Sequence, residues 1–146
     1  PQGMGITLPE LTVWLTRMQA NPLVRHYSII GGADEFCGET FYHIDSEHNL
    51  AALDIKLMPA AQGSGLGAFV LSFAIDALFS RQIVSRAYVD PHPENTRAWR
   101  LYERLGFIVQ PRPQHLESFP TYLEVTPQSF MPSPAYVKQK RRLPPD

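Results

Sequence analysis

The sequence predicts a mixed α/β domain, because it contains two kinds of apolar pattern in an irregular order. Two stretches after residue 60 carry apolar residues three and four positions apart, which is the spacing of a helix face. Several shorter stretches are rich in β-branched and aromatic residues and are bounded by turn residues, which is typical of strands. The strands and helices do not alternate regularly, so we expect a mostly antiparallel sheet flanked by helices.

The first element is predicted to be a helix from Pro9 to Ala20, ended by Asn21-Pro22. A short strand should follow from His26 to Ile30, and Gly31-Gly32 should form a turn. The helix is indicated by apolar residues at positions i, i+3, i+4 and i+7, which are Leu11, Trp14, Leu15 and Met18.

Two strands joined by a polar loop are predicted next, from Phe36 to Ile44 and from Leu50 to Met58. We expect them to pair as an antiparallel hairpin. In the second strand Asp54 and Lys56 should point away from the apolar face, and Pro59 should end the strand. The apolar face of that strand consists of Leu53, Ile55 and Leu57.

The remaining elements follow a run of three glycines. A broad apolar stripe predicts a helix from Leu66 to Leu78, and Ile83 to Val89 should form a strand. A second helix is expected from about Glu94 to Leu105, with Gly106 as its C-terminal cap. The closing strands are Phe107 to Val109 and Thr121 to Val125.

The chain should therefore form one domain over residues 1–130, followed by a tail at 131–146. The tail is rich in proline and basic residues, and we expect it to lie mostly outside the core.

Composition excludes several classes of protein. A formal net charge of −1 over 146 residues provides no basic field for nucleic acid or an anionic membrane. Cys37 is the only cysteine, so no internal disulfide can form. The longest apolar window, Ala68 to Phe79, is too short to span a bilayer, and no signal-peptide pattern occurs at the N-terminus. We expect a cytoplasmic protein without a nucleic-acid or membrane partner.

The run Gln62 to Gly67 places glycines directly before a predicted helix. Helix N-termini bind anions, and glycines allow a phosphate group to approach the main chain closely. A P-loop is excluded, because no glycine is followed by Lys and then Ser or Thr. Two alternatives remain: a packing turn without a ligand, and a dinucleotide-binding G-x-G-x-x-A motif with Asp90 as its acidic residue.

Read as Q-x-x-G-x-G, the same run resembles the acetyl-CoA pyrophosphate loop of the GNAT superfamily of N-acetyltransferases. A second block, "ENTRAWRLYERLGF", agrees with that family by placing Asn95 at a helix start, Tyr102 seven residues later and Gly106-Phe107 at its end. The resemblance extends from about Tyr27 to Val125. Within the superfamily the sequence is most similar to aminoglycoside 6′-N-acetyltransferases and ribosomal-protein N-terminal acetyltransferases.

The resemblance implies a GNAT-like sheet flanked by helices, with the usual first strand apparently missing because only about 25 residues precede His26. It implies Tyr102 as the general acid and Asp54 as the general base, with Glu39, His43 and Asp45 as alternatives to Asp54. The main chain of Leu57 and Met58 would polarise the acetyl carbonyl. The residues expected to contact acetyl-CoA are Leu57, Met58, Gln62, Gly63, Ser64, Gly65, Leu66, Gly67, Ala68, Asn95, Ala98 and Tyr102.

The expected function is acetyl transfer from acetyl-CoA to a primary amine, either a small cationic amine or a protein N-terminus, by direct attack in a ternary complex. The alternatives are a non-enzymatic acyl-CoA-binding module and a dinucleotide-binding oxidoreductase. Five histidines show no zinc-type spacing, so no metal is expected. The sequence is compatible with a homodimer and does not determine the oligomeric state.

Overall fold

The computed structural model describes residues 4–8, 11–17 and 23–140. Its strands form one eight-stranded sheet in the order β1-β2-β3-β4-β5-β6-β8-β7. All neighbouring strands are antiparallel except β5 and β6. The strands are β1 (Met4–Leu8), β2 (Leu11–Arg17), β3 (Val24–Gly31), β4 (Phe36–Asp45), β5 (Leu50–Leu57), β6 (Ala87–Val89), β7 (Ile108–Val109) and β8 (Leu123–Val125).

Three helices cover one face of this sheet: α1 (Leu66–Ser80), α2 (Thr96–Arg104) and α3 (Pro134–Gln139). The largest buried cluster joins α1 and α2 to the apolar faces of β4, β5, β6 and β8. A second buried cluster joins α1 and α3 to β3. None of the described helices is long and apolar enough to cross a bilayer.

The predicted helix from Pro9 to Ala20 is wrong over the residues that the structure describes. Residues 11–17 form β2, which pairs with β1 on one side and with β3 on the other. Alternation of Leu11, Val13 and Leu15 fits a strand as well as the helical spacing does, and β-branched residues favour the strand. Two strands therefore precede β3, where a helix and no first strand were expected. The ends of the predicted helix lie outside the described residues.

The strand predicted from Ile83 to Val89 is shorter than expected and begins only at Ala87. Gln82 has a positive φ of 56°, which ends the preceding helix in a turn. The N–H of Ser85 then donates to Asn49 Oδ1 at 3.0 Å, and Asn49 Nδ2 donates to Ser85 Oγ at 2.6 Å. These bonds hold the segment against the β4–β5 turn instead of in the sheet ladder.

The central hairpin is confirmed, since β4 and β5 pair antiparallel from Gly38↔Leu57 to Asp45↔Leu50. Alternation along β5 buries Ala51 and Leu53 beneath the helices. The opposite face of the sheet carries polar and half-exposed side chains, which include His43, Asp54, Lys56, Tyr88 and Glu124.

The strands β5 and β6 diverge soon after they meet. Their parallel pairing consists of two residue pairs, Ala51↔Ala87 and Ala52↔Tyr88, although β5 continues to Leu57. The last residues of β5 therefore pair only with β4, and their other edge faces an opening in the sheet. A parallel sheet with further βαβ units, which a dinucleotide-binding fold requires, is not formed by the described residues.

Residues 131–140 are mostly exposed, as expected of the tail, but Ser133 and Tyr136 are buried against α1. Tyr136 of α3 is 5% exposed, and its ring meets Phe69 of α1 edge to face at a centroid distance of 5.5 Å. Its hydroxyl donates to Asp76 Oδ2 at 2.6 Å, and the N–H of Ser133 donates to Ser72 Oγ at 2.9 Å. The proline and basic residues suggested a solvated segment, but one aromatic side chain in their midst packs on α1. Residues 141–146 lie outside the described part of the chain.

Tyr136→Ala should therefore lower the free energy of unfolding by about 3 kcal/mol or more, since truncation of a buried aromatic leaves a cavity. The matched control is Val137→Ala on the same helix, because Val137 is 55% exposed and its truncation should change stability by less than about 0.5 kcal/mol. Urea unfolding of both variants measures the difference. Equal stability of the two variants would mean that α3 contributes nothing to the core.

Candidate active site

The glycine run forms a tight loop between β5 and α1. One turn of 3₁₀ helix, Pro59–Ala61, follows β5, and α1 begins at Leu66. Gly63 and Gly65 have positive φ angles of 80° and 84°, and a Cβ built on either would meet no atom within 4 Å. The main chain of these two glycines therefore borders open space, as a site for an approaching anion requires.

The N-terminus of α1 opens onto this space without a side-chain cap. Its N-cap residue is Gly65, which has no side chain to accept a bond from the first-turn N–H groups, and the first turn contains no acidic residue. Exposed N–H groups and the positive end of the helix dipole together favour a negatively charged ligand. The loop can therefore bind a pyrophosphate through backbone groups of Gly63 to Ala68.

Gln62 connects the loop to both neighbouring elements. Its Nε2 donates to the carbonyl oxygen of Leu57 at 3.1 Å, and its Oε1 accepts from Arg97 Nη1 at 2.5 Å. Sequence reasoning missed Arg97. The available signal was a cation in the first turn of α2, where the helix dipole disfavours positive charge.

A cleft of about 390 Å³ lies beside this loop, at the opening between β5 and β6. Tyr102 enters it from α2, which packs on the helix-covered face of the sheet. Asp54 enters it from the opposite face. The two predicted catalytic residues therefore line one cleft from its two sides. The other lining residues are Ile55, Leu57, Gln62, Asp90, Pro91, His92, Asn95, Arg97, Ala98 and Leu101.

Main-chain groups along β5 alternate between β4 and the cleft. The N–H of Ala51 donates to the Arg86 carbonyl at 3.0 Å, on the β6 side, so by alternation Leu57 directs its main-chain groups to the same side. The N–H of Met58 instead donates to the Cys37 carbonyl at 2.8 Å. Of the two predicted main-chain donors, Leu57 faces the cleft, whereas the N–H of Met58 is held by β4.

Asp54 is half-buried, and its carboxylate accepts one hydrogen bond, which comes from the next residue in the chain. Its Oδ1 accepts from the N–H of Ile55 at 2.8 Å. Burial raises the pKa of Asp54, and the negative charges of Asp90 and Glu39 raise it further, while the Ile55 bond and Lys56 oppose the shift. A carboxylate with a raised pKa accepts a proton more readily than an ordinary one, as a general base must.

Tyr102 is 6% exposed, and its ring packs against Phe107 at a centroid distance of 5.4 Å. Burial raises the pKa of Tyr102 above the ordinary phenol value, and the charges of Asp54 and Asp90 raise it further. The phenol is therefore protonated at neutral pH and can act as an acid.

Asn95 has the capping role that the sequence allowed. Its Oδ1 accepts from the N–H of Ala98 at 3.1 Å, which begins α2. This bond uses only the oxygen of the side-chain amide, and both Asn95 and Ala98 line the cleft. A contact between cofactor and the Asn95 amide nitrogen is thus compatible with the cap.

The alternative acids are paired with histidines. Glu39 Oε1 accepts from His26 Nε2 at 2.7 Å, and Asp45 Oδ2 accepts from His48 Nδ1 at 2.8 Å. Among the described residues, no histidine, lysine or arginine pairs with the Asp54 carboxylate in this way. His43 is exposed on the same face but is not among the residues that line the cleft.

One histidine cluster was not expected from sequence spacing. Asp45, His48 and His115 offer ligand atoms within 4.8 Å of one another. The two imidazole rings, however, stack in parallel, with centroids 3.6 Å apart and planes 7° apart. A ligating nitrogen directs its lone pair in the plane of its ring, so two stacked parallel rings do not converge on one ion. This arrangement fits a stacked histidine pair, in which His48 bonds Asp45 and His115 lies 3.7 Å from it, better than a metal centre.

Asp54→Asn should stabilise the protein at pH 7, because it removes a buried charge and keeps an oxygen for the Ile55 N–H. Well below the ordinary Asp pKa of about 3.9 the carboxyl is protonated in the folded and the unfolded chain alike, so the charge-dependent advantage of the variant should vanish. As pH rises from the ordinary pKa to the raised pKa of Asp54, the wild type loses stability relative to the variant, and above the raised pKa the difference stays constant. Thermal unfolding of both proteins from about pH 3 to pH 8 measures this difference, and a lower Tm of the variant at pH 7 would contradict it.

Comparison with known proteins shows that this chain is similar to acetyltransferases. The sequence profile of the acetyltransferase (GNAT) family matches residues 10–107. Aminoglycoside N(6′)-acetyltransferase type 1 of Klebsiella pneumoniae is 27% identical over 124 residues, which are 83% of this chain and 59% of the relative. A kanamycin resistance protein of Rhizobium radiobacter is 31% identical over 87 residues, which are 59% of this chain and 81% of the relative.

Solved structures share the fold. Spermidine N-acetyltransferase of Vibrio cholerae in complex with CoA and spermine aligns with a TM-score of 0.61 at 19% identity, covering 74% of this chain and 68% of that one. A dodecameric form of the same enzyme aligns with a TM-score of 0.60. The chain spans about 59% of the length of the aminoglycoside acetyltransferase that it matches. The family profile covers well over half of the chain and contains both the loop and α2, so this protein belongs to the GNAT acetyltransferase family.

Proposed function

We propose that this protein is an N-acetyltransferase, which transfers the acetyl group of acetyl-CoA to a primary amine in a ternary complex. The observation that carries the proposal is the shared cleft. The uncapped N-terminus of α1 opens beside a cleft that also contains a protonated phenol and a carboxylate of raised pKa. Membership of the GNAT family supports the same chemistry.

Cofactor binding begins at the loop. The pyrophosphate would accept hydrogen bonds from the backbone N–H groups of Gly63 to Ala68, with no side chain of Gly63 or Gly65 in the way. The pantetheine arm would then extend into the opening between β5 and β6. There Leu57 offers main-chain groups, and Asn95 offers its amide nitrogen. The thioester would reach the part of the cleft that Tyr102 and Asp54 border.

Starting from a protonated amine, the nitrogen loses two protons in the reaction and the sulfur gains one. Only a neutral amine attacks a thioester, and an amine with a pKa near 10 is almost wholly protonated at pH 7. Asp54 would accept that proton, directly or through water. The C–N bond then forms as the C–S bond breaks, and the Tyr102 hydroxyl donates its proton to the departing thiolate. The second proton of the amine, released as the amide forms, would return to the Tyr102 oxygen directly or through water. The Leu57 N–H would hold the acetyl oxygen as negative charge develops there.

The acceptor would approach from the face of the sheet that carries Asp54. We infer a cationic amine, because Asp90 and Glu47 add negative charge to that face, and because a relative and a solved structure of the same fold are named for aminoglycosides and spermidine. Glu39 and Asp45 on the same hairpin each bond a histidine. A protein N-terminus remains the second acceptor class. We expect the protein to act in the cytoplasm, where acetyl-CoA is available.

The pyrophosphate site is tested best at Ser64, because any side chain at Gly65 would strain its positive φ. Ser64→Asp should raise the acetyl-CoA dissociation constant at least tenfold, or about 1.4 kcal/mol, by repelling the pyrophosphate. Ser64→Asn has nearly the same shape without the charge and should bind almost as the wild type does. Calorimetric titration measures both dissociation constants. Equal affinities of the two variants for acetyl-CoA would contradict pyrophosphate binding at this loop.

The phenol is tested by Tyr102→Phe, which keeps the buried ring and removes the acid. We expect kcat to fall by roughly 10²–10⁴ while the acetyl-CoA dissociation constant stays within about twofold. Thiol release from acetyl-CoA with a panel of amines provides the assay. Normal turnover would leave Tyr102 as a packing residue. Wild-type protein that binds acetyl-CoA tightly but releases no thiol with any amine would instead be a non-enzymatic acyl-CoA-binding module.

The Asp54→Asn variant has a second readout in the same assay. Its turnover should fall although its stability at pH 7 rises, and the loss should shrink at higher pH, where solvent supplies more neutral amine. A role restricted to attracting a cationic acceptor would instead raise the acceptor KM at constant kcat.

A further inference from the structure

Three arginines lie along α2. Arg97 also lines the candidate catalytic cleft, whereas Arg100 and Arg104 lie outside it. Arg97, Arg100 and Arg104 are spaced i, i+3 and i+7, so they are neighbours on one side of the helix. Together with Glu103 they line a shallow cavity of about 440 Å³. Their side chains are exposed.

Little in the described structure neutralises this charge. Arg100 and Arg104 form no hydrogen bond or ion pair with the residues that the structure describes, and Arg97 bonds the neutral amide of Gln62. Like charges three and four residues apart destabilise a helix, and Arg97 also opposes the helix dipole. The helix dipole favours Arg104, which lies in the last turn of α2, but it gives no reason for Arg97 and Arg100. An anionic ligand would account for all three arginines.

The cluster borders the pyrophosphate loop. A Cβ on Gly67, in the first turn of α1, would lie 3.3 Å from Leu101 Cδ2, so the start of α1 rests on Leu101. Arg97 and Arg104 lie four residues before and three residues after Leu101, and thus flank that contact. The bond between Arg97 and Gln62 joins the same helix to the loop itself.

We propose that Arg100 and Arg104, next to Arg97, bind the 3′-phosphate of the ribose of CoA. This inference rests on the proposed function, which puts the pyrophosphate of the same molecule on the adjacent loop. A phosphomonoester carries a charge of about −1.5 to −2 at pH 7 and offers three acceptor oxygens. Guanidinium groups match such oxygens with paired N–H donors, which makes arginine well suited to this group. The arginines would then discriminate CoA from 3′-dephospho-CoA.

The test compares the dissociation constants of CoA and 3′-dephospho-CoA, measured by calorimetry at about 150 mM salt so that long-range attraction is screened. We expect the wild type to bind CoA at least tenfold more tightly than 3′-dephospho-CoA. Arg100→Gln and Arg104→Gln should each weaken binding of CoA and leave binding of 3′-dephospho-CoA unchanged, so that the ratio falls toward one. Arg81→Gln, an exposed arginine that follows the far end of α1, is the matched control and should keep the wild-type ratio.

Equal affinity of the wild type for the two ligands would overturn this inference and leave the proposed function standing. The same holds if the two variants lose affinity for both ligands alike, since the arginines would then supply only a general positive field. Failure of the wild type to bind either ligand would overturn the proposed function and this inference with it. Thermal unfolding of each variant checks that the fold is retained, and we expect no loss of Tm, because the substitutions relieve repulsion between like charges.

Discussion

The divergence of β5 from β6 is the constraint on which the candidate site depends. Two paired residues hold the strands together, and the remainder of β5 keeps its ladder with β4 alone. The sheet therefore has an opening in its middle with main-chain groups of Leu57 along one side. Without this opening, a phenol on the helix-covered face and a carboxylate on the other face would be separated by a closed sheet. Tyr102 and Asp54 meet in one cleft only because the ladder ends there.

The same region combines two electrostatic arrangements of opposite charge, and both lower stability. The uncapped start of α1 and the arginines of α2 concentrate positive charge at the outer end of the site. Asp54, held near Asp90 in the partly buried inner end, ionises against desolvation and repulsion. Each arrangement costs folding free energy that a capped helix or a neutral side chain would not cost. Electrostatic destabilisation of this kind is typical of sites that bind charged groups or transfer protons.

Much of the fold could be predicted from local sequence patterns, and each wrong prediction has an identifiable cause. The central hairpin and α1 were predictable, because alternation and a long apolar stripe leave few other solutions. Residues 11–17 carried both a helical and an alternating pattern, and pairing with β3 decided for the strand. The contact of the tail with α1 was missed because the composition of the tail is polar on average, while the burial of Tyr136 depends on its packing against α1. Average composition contains no information about one such contact.

By itself, the sequence determined the glycine loop and the helix that follows it, because both depend on neighbouring residues and can be recognised as a local pattern. It also determined the separation of Asp54 from the apolar face of β5, because alternation along a strand is strict. Only the tertiary structure decided that Arg97 reaches Gln62, that Glu39 and Asp45 are paired with histidines, and that Asp54 shares a cleft with Tyr102. Most of these contacts join elements far apart in the chain, so they depend on sheet order and on the way the helices pack, which no local pattern specifies.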